Sequence, residues 1–263
     1  MVRQLVSLCA AVCGLLPAVA MAAASSLSSP SMKEVAAANA KLADYKALHQ
    51  LVENRQKPIL WLFLGDSITH GAMHTGGYRS YPEHWQEIMK WEPRKKGNFR
   101  RTDDIIVNSA VSGETATGFL RHADWRLKSF KAQVVFINFG INDAGKAGDT
   151  ARFRADLTQI VKLVRAKNAI PVLQTPSPTQ DRKASRPAFA QVVRDVAAKE
   201  KTLLVDHASY WKELSGSEEC PAAWMNNAQH PNYRGHRVMA RAIAFELGFW
   251  DKGSPTLNLP VEK

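Results

Sequence analysis

Cysteine is scarce in this chain of 263 residues, which holds three. Two of them, Cys9 and Cys13, fall within residues 1–22, a segment that reads as a removable leader. That leaves Cys220. A single thiol can close no intramolecular disulfide and build no thiolate zinc site, so stability must come from a packed core. Cys220 reads as a buried or half-buried small residue, not as a nucleophile. Long apolar runs are lacking as well. Leu5 to Val19 is the best candidate, but Pro17 interrupts it and it is shorter than the ~20 residues of a helical membrane span. There is no internal repeat and no low-complexity tract. Zinc-finger spacing, basic heptads and an aromatic-rich nucleic-acid signature are missing, which argues against a nucleic-acid partner. "GDSITHG" lacks the lysine of a phosphate-binding P-loop, and no His/Asp/Glu group shows ligand spacing, so neither cofactor nor metal is implied.

What is present begins with an address. Arg3 gives a positive start, an apolar stretch follows, and Ala20-Met21-Ala22 matches a small-x-small cleavage site. Residues 1–22 therefore read as a secretory signal peptide, with an uncleaved membrane anchor as the competing reading. The expected mature protein is soluble and secreted or periplasmic, with no stable membrane span. Its formal charge of +11, or +10 without Arg3, favours anionic surroundings. The densest basic cluster is "EPRKKGNFRR", with Arg94, Lys95, Lys96, Arg100 and Arg101. A solvated basic face is preferred there over a binding patch.

At 45% hydrophobic and 22% charged residues the composition is globular, and the length suits one large domain. After a Ser-rich lead-in, the pattern from Met32 to about Glu53 predicts one helix, with Leu42, Tyr45 and Leu48 on one face. Beyond Pro58, apolar runs alternate with helical patterns. The predicted strands are Ile59 to Leu64, Asp104 to Asn108, Gln133 to Phe139, Ile170 to Gln174 and Leu203 to Asp206. Helices are predicted over Tyr81 to Trp91, Thr117 to Phe130, Phe153 to Val164, Ala188 to Lys199 and Tyr233 to Leu247, the last capped by Gly248. Strands that are apolar throughout mean a parallel sheet covered on both faces: one three-layer α/β/α domain on five strands. Ligands of such sheets bind beyond the carboxyl ends of the strands. The loops at that end hold Gly65 to Gly77, Ser109 to Thr115, Gly140 to Gly148, Thr175 to Pro187 and His207 to Pro231. The basic cluster leads into a strand and so belongs at the opposite end. Arg182, Lys183 and Arg186 are on the ligand side, and Arg182 is a substrate-binding candidate.

Ser67 follows the first strand, Gly113 the second and Asn142 the third, and His230 precedes the last helix. Each alone has a bland reading: a turn, a conformational glycine, a structural histidine. Together, in order and at the right strand ends, they supply a nucleophile, two oxyanion donors and a base. The chain resembles the SGNH (GDSL-type) hydrolases over nearly all of its mature length. The resemblance is carried by "GDSIT" (Gly65 to Thr69), "SGET" (Ser112 to Thr115), "GIND" (Gly140 to Asp143) and "HPNYRGHRVMA" (His230 to Ala240). It implies a serine esterase on a flavodoxin-like sheet, with the name-giving residues at Ser67, Gly113, Asn142 and His230. Residues 58–250 would form that domain, 23–57 a lead-in and helix, and 251–263 a tail. The chemistry is consistent. A serine hydroxyl needs a base within hydrogen-bond reach, and an imidazole titrates in the working range. Charge growing on the ester oxygen needs preorganised donors, here the backbone N–H groups of Ser67 and Gly113 and the side-chain amide of Asn142.

One position departs from the family. The usual aspartate, three residues before the histidine, is Asn227 here. In Ser-His-Asp enzymes that exchange costs about 10⁴ in turnover through the wrong tautomer. Three arrangements remain open: Asn227 or a backbone carbonyl orients His230; a carboxylate from elsewhere, Asp206 or Glu219, replaces the missing one; or the site binds without turnover. Asp66 and Asp143 read as braces of their turns, His70 and His74 as residues flanking the nucleophile, and His236 as a packing or capping residue. His207 ends the last strand at the edge of the site. Trp85, Trp91 and Trp125 sit in helical patterns and read as core. Trp224 lies in the loop of His230 and is the candidate aromatic wall for substrate. The expected substrate is a carboxylic ester, with the export signal, charge and resemblance leaning toward an acylated polysaccharide. The rivals are a lysophospholipase-type esterase, disfavoured by the lack of a long apolar lid segment, a non-hydrolytic glycan-binding module, and acyl transfer to a sugar. Oligomeric state is not legible.

Overall fold

The computed structural model of the chain describes residues 29–92, 100–146, 148–181, 186–217 and 220–261. The signal-peptide assignment and the residues Arg94, Lys95, Lys96, Arg182, Lys183 and Glu219 lie outside them. The helices are α1 (Met32–Asn39), α2 (Ala43–Glu53), α3 (Ser67–His70), α4 (Tyr81–Gln86), α5 (Ala116–Arg121), α6 (Ile141–Lys146), α7 (Thr150–Ala166), α8 (Arg186–Glu200), α9 (His207–Ser215) and α10 (Tyr233–Glu246). The strands are β1 (Leu60–Gly65), β2 (Ile105–Asn108), β3 (Val134–Asn138), β4 (Ile170–Gln174) and β5 (Leu203–Val205). All pair in parallel, in the order β2-β1-β3-β4-β5. This is the flavodoxin-like order, whose direction reverses between β1 and β3.

Side chains alternate across the sheet. Trp61 and Phe63 of β1, Val134 and Phe136 of β3 and Val172 of β4 pack under α2, α4, α9 and α10. Leu62, Leu64, Val135, Ile137 and Leu173 pack under α5, α7 and α8. Because both faces of β1, β3 and β4 are covered, those strands read as unbroken apolar runs. Phe63 and Phe136 stack at 4.4 Å across the β1/β3 pair, directly beneath the reversal point. The tail belongs to the same body: Leu257 is buried in the core, and Arg241 donates to the carbonyls of Leu257 and Leu259. No described helix is long and apolar enough to cross a membrane.

The structure corrects several expectations. The predicted helix from Met32 to Glu53 is two helices, broken after Asn39. The break frees the buried Asn39 amide to pair with β5: its Nδ2 donates to Leu204 O at 2.7 Å and its Oδ1 accepts from Leu204 N at 3.0 Å. An edge strand is thereby covered. Trp91 and Trp125, expected in the core, are 46% and 60% exposed. Both lie in π-helical turns, Glu87–Trp91 and Asp124–Lys128, whose wider winding carries residues off the buried face. Trp85 is fully buried. Three segments read as loops, those of α3, α6 and α9, are short helices.

Arg101 also differs from the solvated reading of its cluster. It is 5% exposed, pairs with Asp104 at 2.9 Å, and donates to the carbonyls of Val52, Asn54 and Lys57. Asp104 in turn accepts from Ile59 N and Trp61 Nε1. This buried pair therefore fixes the entry of β1 against β2. Arg101→Met should destabilise the protein by about 3–5 kcal/mol in urea unfolding, because it strands a buried carboxylate.

Candidate active site

β1 ends at Gly65 because the chain must turn there at once. A Cβ at Gly65 would overlap the Thr69 side chain and lie 2.8 Å from Asn138 O. Asp66 then caps α3, its Oδ1 accepting from Ile68 N at 2.9 Å, and Ser67 becomes the first residue of that helix. The hydroxyl of Ser67 thus stands at the carboxyl end of β1, next to the reversal point. His230 arrives from the other end of the chain. Its loop is fastened by Asn232, whose amide donates to the carbonyls of Ala223 and Met225 while its oxygen caps α10. Ser67 Oγ and His230 Nε2 are 2.9 Å apart.

Chemistry settles which ring nitrogen carries the proton. Asn227 Oδ1 accepts from the backbone N–H groups of Gln229 and His230 at 2.9 and 2.8 Å, so the atom facing them is the amide oxygen. The same oxygen is 3.1 Å from His230 Nδ1 and can only accept. Nδ1 therefore carries hydrogen, and the lone pair of Nε2 faces the Ser67 hydroxyl. Burial, then the neighbouring His74 and Arg186, push the imidazole down to about 4. At neutral pH it is an unprotonated base.

The loops of Gly113 and Asn142 are equally organised. Gly113 has φ +79°, which a side chain would strain. Asn142, at the start of α6, donates from Nδ2 to Glu114 O at 2.9 Å, which uses one amide N–H and sets the direction of the other. Asp143 ties the two loops together, accepting from Ala116 N at 2.9 Å and Gly140 N at 3.1 Å. Burial raises Asp143 to about 6 and Asp66 to about 7. Both oxygens of Asp143 and Oδ1 of Asp66 accept backbone N–H groups, Asp66 Oδ2 is buried without a partner among the described residues, and neither acid hydrogen-bonds His230.

The structure does not bring all the candidate residues to the site. Trp224 is fully buried, edge-on to Trp211 at 5.3 Å, and offers no face to a ligand. Its loop folds back, with Asn232 N donating to Trp224 O at 2.9 Å, so the ring is packed under the histidine loop. Arg182 lies outside the described residues. Asp206 cannot orient His230: it is buried in an ion pair with Arg194 and caps α9. His207 is fully buried with Nε2 against Gln174 Oε1 at 2.8 Å, away from the site. His236 is also buried, its Nδ1 accepting from Tyr81 N. Cys220 is half-buried and its thiol is pushed up to about 12 by burial, which suits packing and not nucleophilic attack. Among the described residues no group of three or more His, Cys, Asp or Glu side chains is placed to hold a metal.

Two neighbours of the candidate site escaped the sequence reading. Arg126, 1% exposed, pairs with Glu114 at 2.6 Å and donates twice to Ser109 O, stapling the loop of Gly113. Its place in a helical pattern concealed this. His74 lies flat against His230, with ring centroids 3.7 Å apart and planes within 10°. The sequence shows it as too close to Ser67 to be its base, and nothing local reveals the stack.

Residues 63–238 match the GDSL-like lipase/acylhydrolase family. A Mycoplasma pneumoniae protein is 32% identical over 113 residues, which are 41% of this chain but only 12% of that protein's length. An acetylxylan esterase of Geobacillus stearothermophilus is 24% identical over 215 residues, 72% of this chain and 93% of that enzyme. The crystal structure of Axe2, an acetylxylan esterase from Geobacillus stearothermophilus, superposes with a TM-score of 0.62 at 22% identity, over 75% of this chain and 98% of that one. At that identity the likeness establishes the α/β/α fold. Variants of Axe2 described as catalytic mutants replace a serine and an aspartate by alanine. The motif match over most of the chain and the shared sheet together place this protein: it belongs to the GDSL-like lipase/acylhydrolase family of ester hydrolases, the SGNH hydrolases.

Proposed function

We propose that this chain is an exported serine esterase that hydrolyses carboxylic esters through an acyl-Ser67 intermediate, and that its ester is an acetyl or short acyl group on a carbohydrate. The observation that carries the reading is the 2.9 Å contact between Ser67 Oγ and the unprotonated Nε2 of His230. Ser67 attacks the ester carbonyl as its proton passes to Nε2. The oxyanion is met by the backbone N–H groups of Ser67 and Gly113 and by the amide of Asn142. The tetrahedral intermediate collapses, and His230 returns the proton to the leaving alcohol. Water, deprotonated by the same nitrogen, then releases the acid. Asn227 holds Nδ1–H throughout but brings no charge to the imidazolium. The proposal therefore includes slower turnover than a carboxylate in its place would allow.

The carbohydrate part rests on three supports. One relative is an acetylxylan esterase. The chain carries a +11 charge, suited to anionic envelope surroundings. Beside the site, Tyr78 is 61% exposed and rests on Tyr233 at 4.6 Å, with the guanidinium groups of Arg234 and Arg237 over the Tyr233 ring. Tyr78 shares a loop with His74, and Tyr233 lies three residues beyond His230. An exposed aromatic face there can stack on a sugar ring.

Labelling with a fluorophosphonate tests the nucleophile. It should be lost in Ser67→Ala and about tenfold or more faster in Asn227→Asp, where a charged orienter is restored. A glycan-binding module without turnover would leave wild type unlabelled. In pH–rate profiles, kcat/KM should rise through an inflection near 4, well below the 6.5 of a free imidazole. Asn227→Asp should move that inflection upward, because a carboxylate stabilises the imidazolium. For the substrate, Tyr78→Ala should raise KM for an acetylated xylo-oligosaccharide several-fold, by about 1 kcal/mol of lost ring contact, and leave p-nitrophenyl acetate unaffected. A preference for long-chain acyl esters would favour a lipid substrate instead.

A further inference from the structure

The orientation of His230 is under-determined by Asn227. A carbonyl oxygen has two lone pairs, yet Asn227 Oδ1 serves three N–H groups, and the ring's contact at 3.1 Å is the longest of them. Asn227 is also exposed, so water competes for it. A second constraint lies on the ring's face. His74 stacks there at 3.7 Å, nearly parallel. His74 is itself held, its Nδ1 accepting from Asn226 Nδ2 at 3.2 Å, and Asn226 N donates to His230 O at 2.8 Å. One residue thus grips the backbone of the base and the ring laid over it. Burial lowers the pKa of His74, which keeps the pair from becoming two adjacent cations.

We propose that His74 is a positioning residue: stacked on His230 and gripped by Asn226, it holds the plane of the imidazole that the family's missing carboxylate would otherwise hold. The proposal rests on the reading of His230 as the base. It assigns a task to the loop following the nucleophile helix, and it couples His74 to Asn227, because each restrains the same ring.

The test uses His74→Ala and His74→Phe, each alone and combined with Asn227→Asp. Misplacing a catalytic group by about 1 Å costs on the order of 10² in rate, so His74→Ala should lower kcat by about ten- to a hundredfold with KM little changed. His74→Phe keeps a flat ring and should restore most of the loss. In the Asn227→Asp background the His74→Ala loss should shrink to about threefold or less, since a carboxylate fixes the ring by itself. Nitrogen-15 resonances of the His230 ring supply a readout that needs no turnover: one Nδ1–H tautomer in wild type and in His74→Phe, and a mixture in His74→Ala. The proposal is overturned if His74→Ala leaves kcat and the His230 resonances as in wild type, or if His74→Phe is as impaired as His74→Ala. Absence of hydrolysis in wild type would sink the esterase reading alone, because the resonances still report whether His74 holds the ring.

Discussion

Everything at this site depends on one hydrogen bond between residues 163 positions apart, Ser67 and His230. Neither side chain could find the other through local structure. The serine is delivered by β1, an interior strand of the sheet between β2 and β3 and buried on both faces. The histidine is delivered by a loop that is stapled to the start of α10 and packed over Trp224 and Trp211. Such a contact survives only if both supports are rigid. The stacked Phe63 and Phe136 beneath the serine and the Asn232 clamp beneath the histidine provide that rigidity.

The side chain at His230 Nδ1 is an amide and not a carboxylate, which gives the proposed site its particular character. An asparagine oxygen can dictate the tautomer of a histidine by accepting its Nδ1–H, but it cannot stabilise the ring once protonated. Burial and the nearby Arg186 oppose protonation as well. The imidazole is therefore a weak base held in one tautomer. Asn227 Oδ1 gives two of its three contacts to the backbone turn that presents His230, and His74 stacks on the face of the same ring.

The sheet was legible in the sequence because β1, β3 and β4 are covered on both sides, and continuous apolar runs are the signature of that burial. Ser67, Gly113, Asn142 and His230 stood out as candidates because four short motifs fall in order at strand ends, and the fold brings Ser67 and His230 into contact. What was not legible depends on contacts between distant residues. Asn39 ends a helix only because β5 has an edge to satisfy. Arg101 and Arg126 look like surface cations until the loops they staple are folded around them. Trp224 reads as an exposed loop aromatic because nothing local shows the loop turning inward. Trp91 and Trp125 leave the core where a π turn interrupts the period of 3.6 on which the helical reading relies. His74 is too near Ser67 along the chain to be its base, and that nearness carries no hint of a place over the base itself.

The central claim is that an acyl group passes through the oxygen of residue 67. Quenching turnover of a short-chain ester within the first cycle, followed by peptide mapping by mass spectrometry, addresses it directly. The account predicts one acyl group, carried by the peptide that contains Ser67 and attached to its hydroxyl. An acyl group found on any other residue, or steady hydrolysis with no acylated peptide and no dependence on the Ser67 hydroxyl, would contradict it.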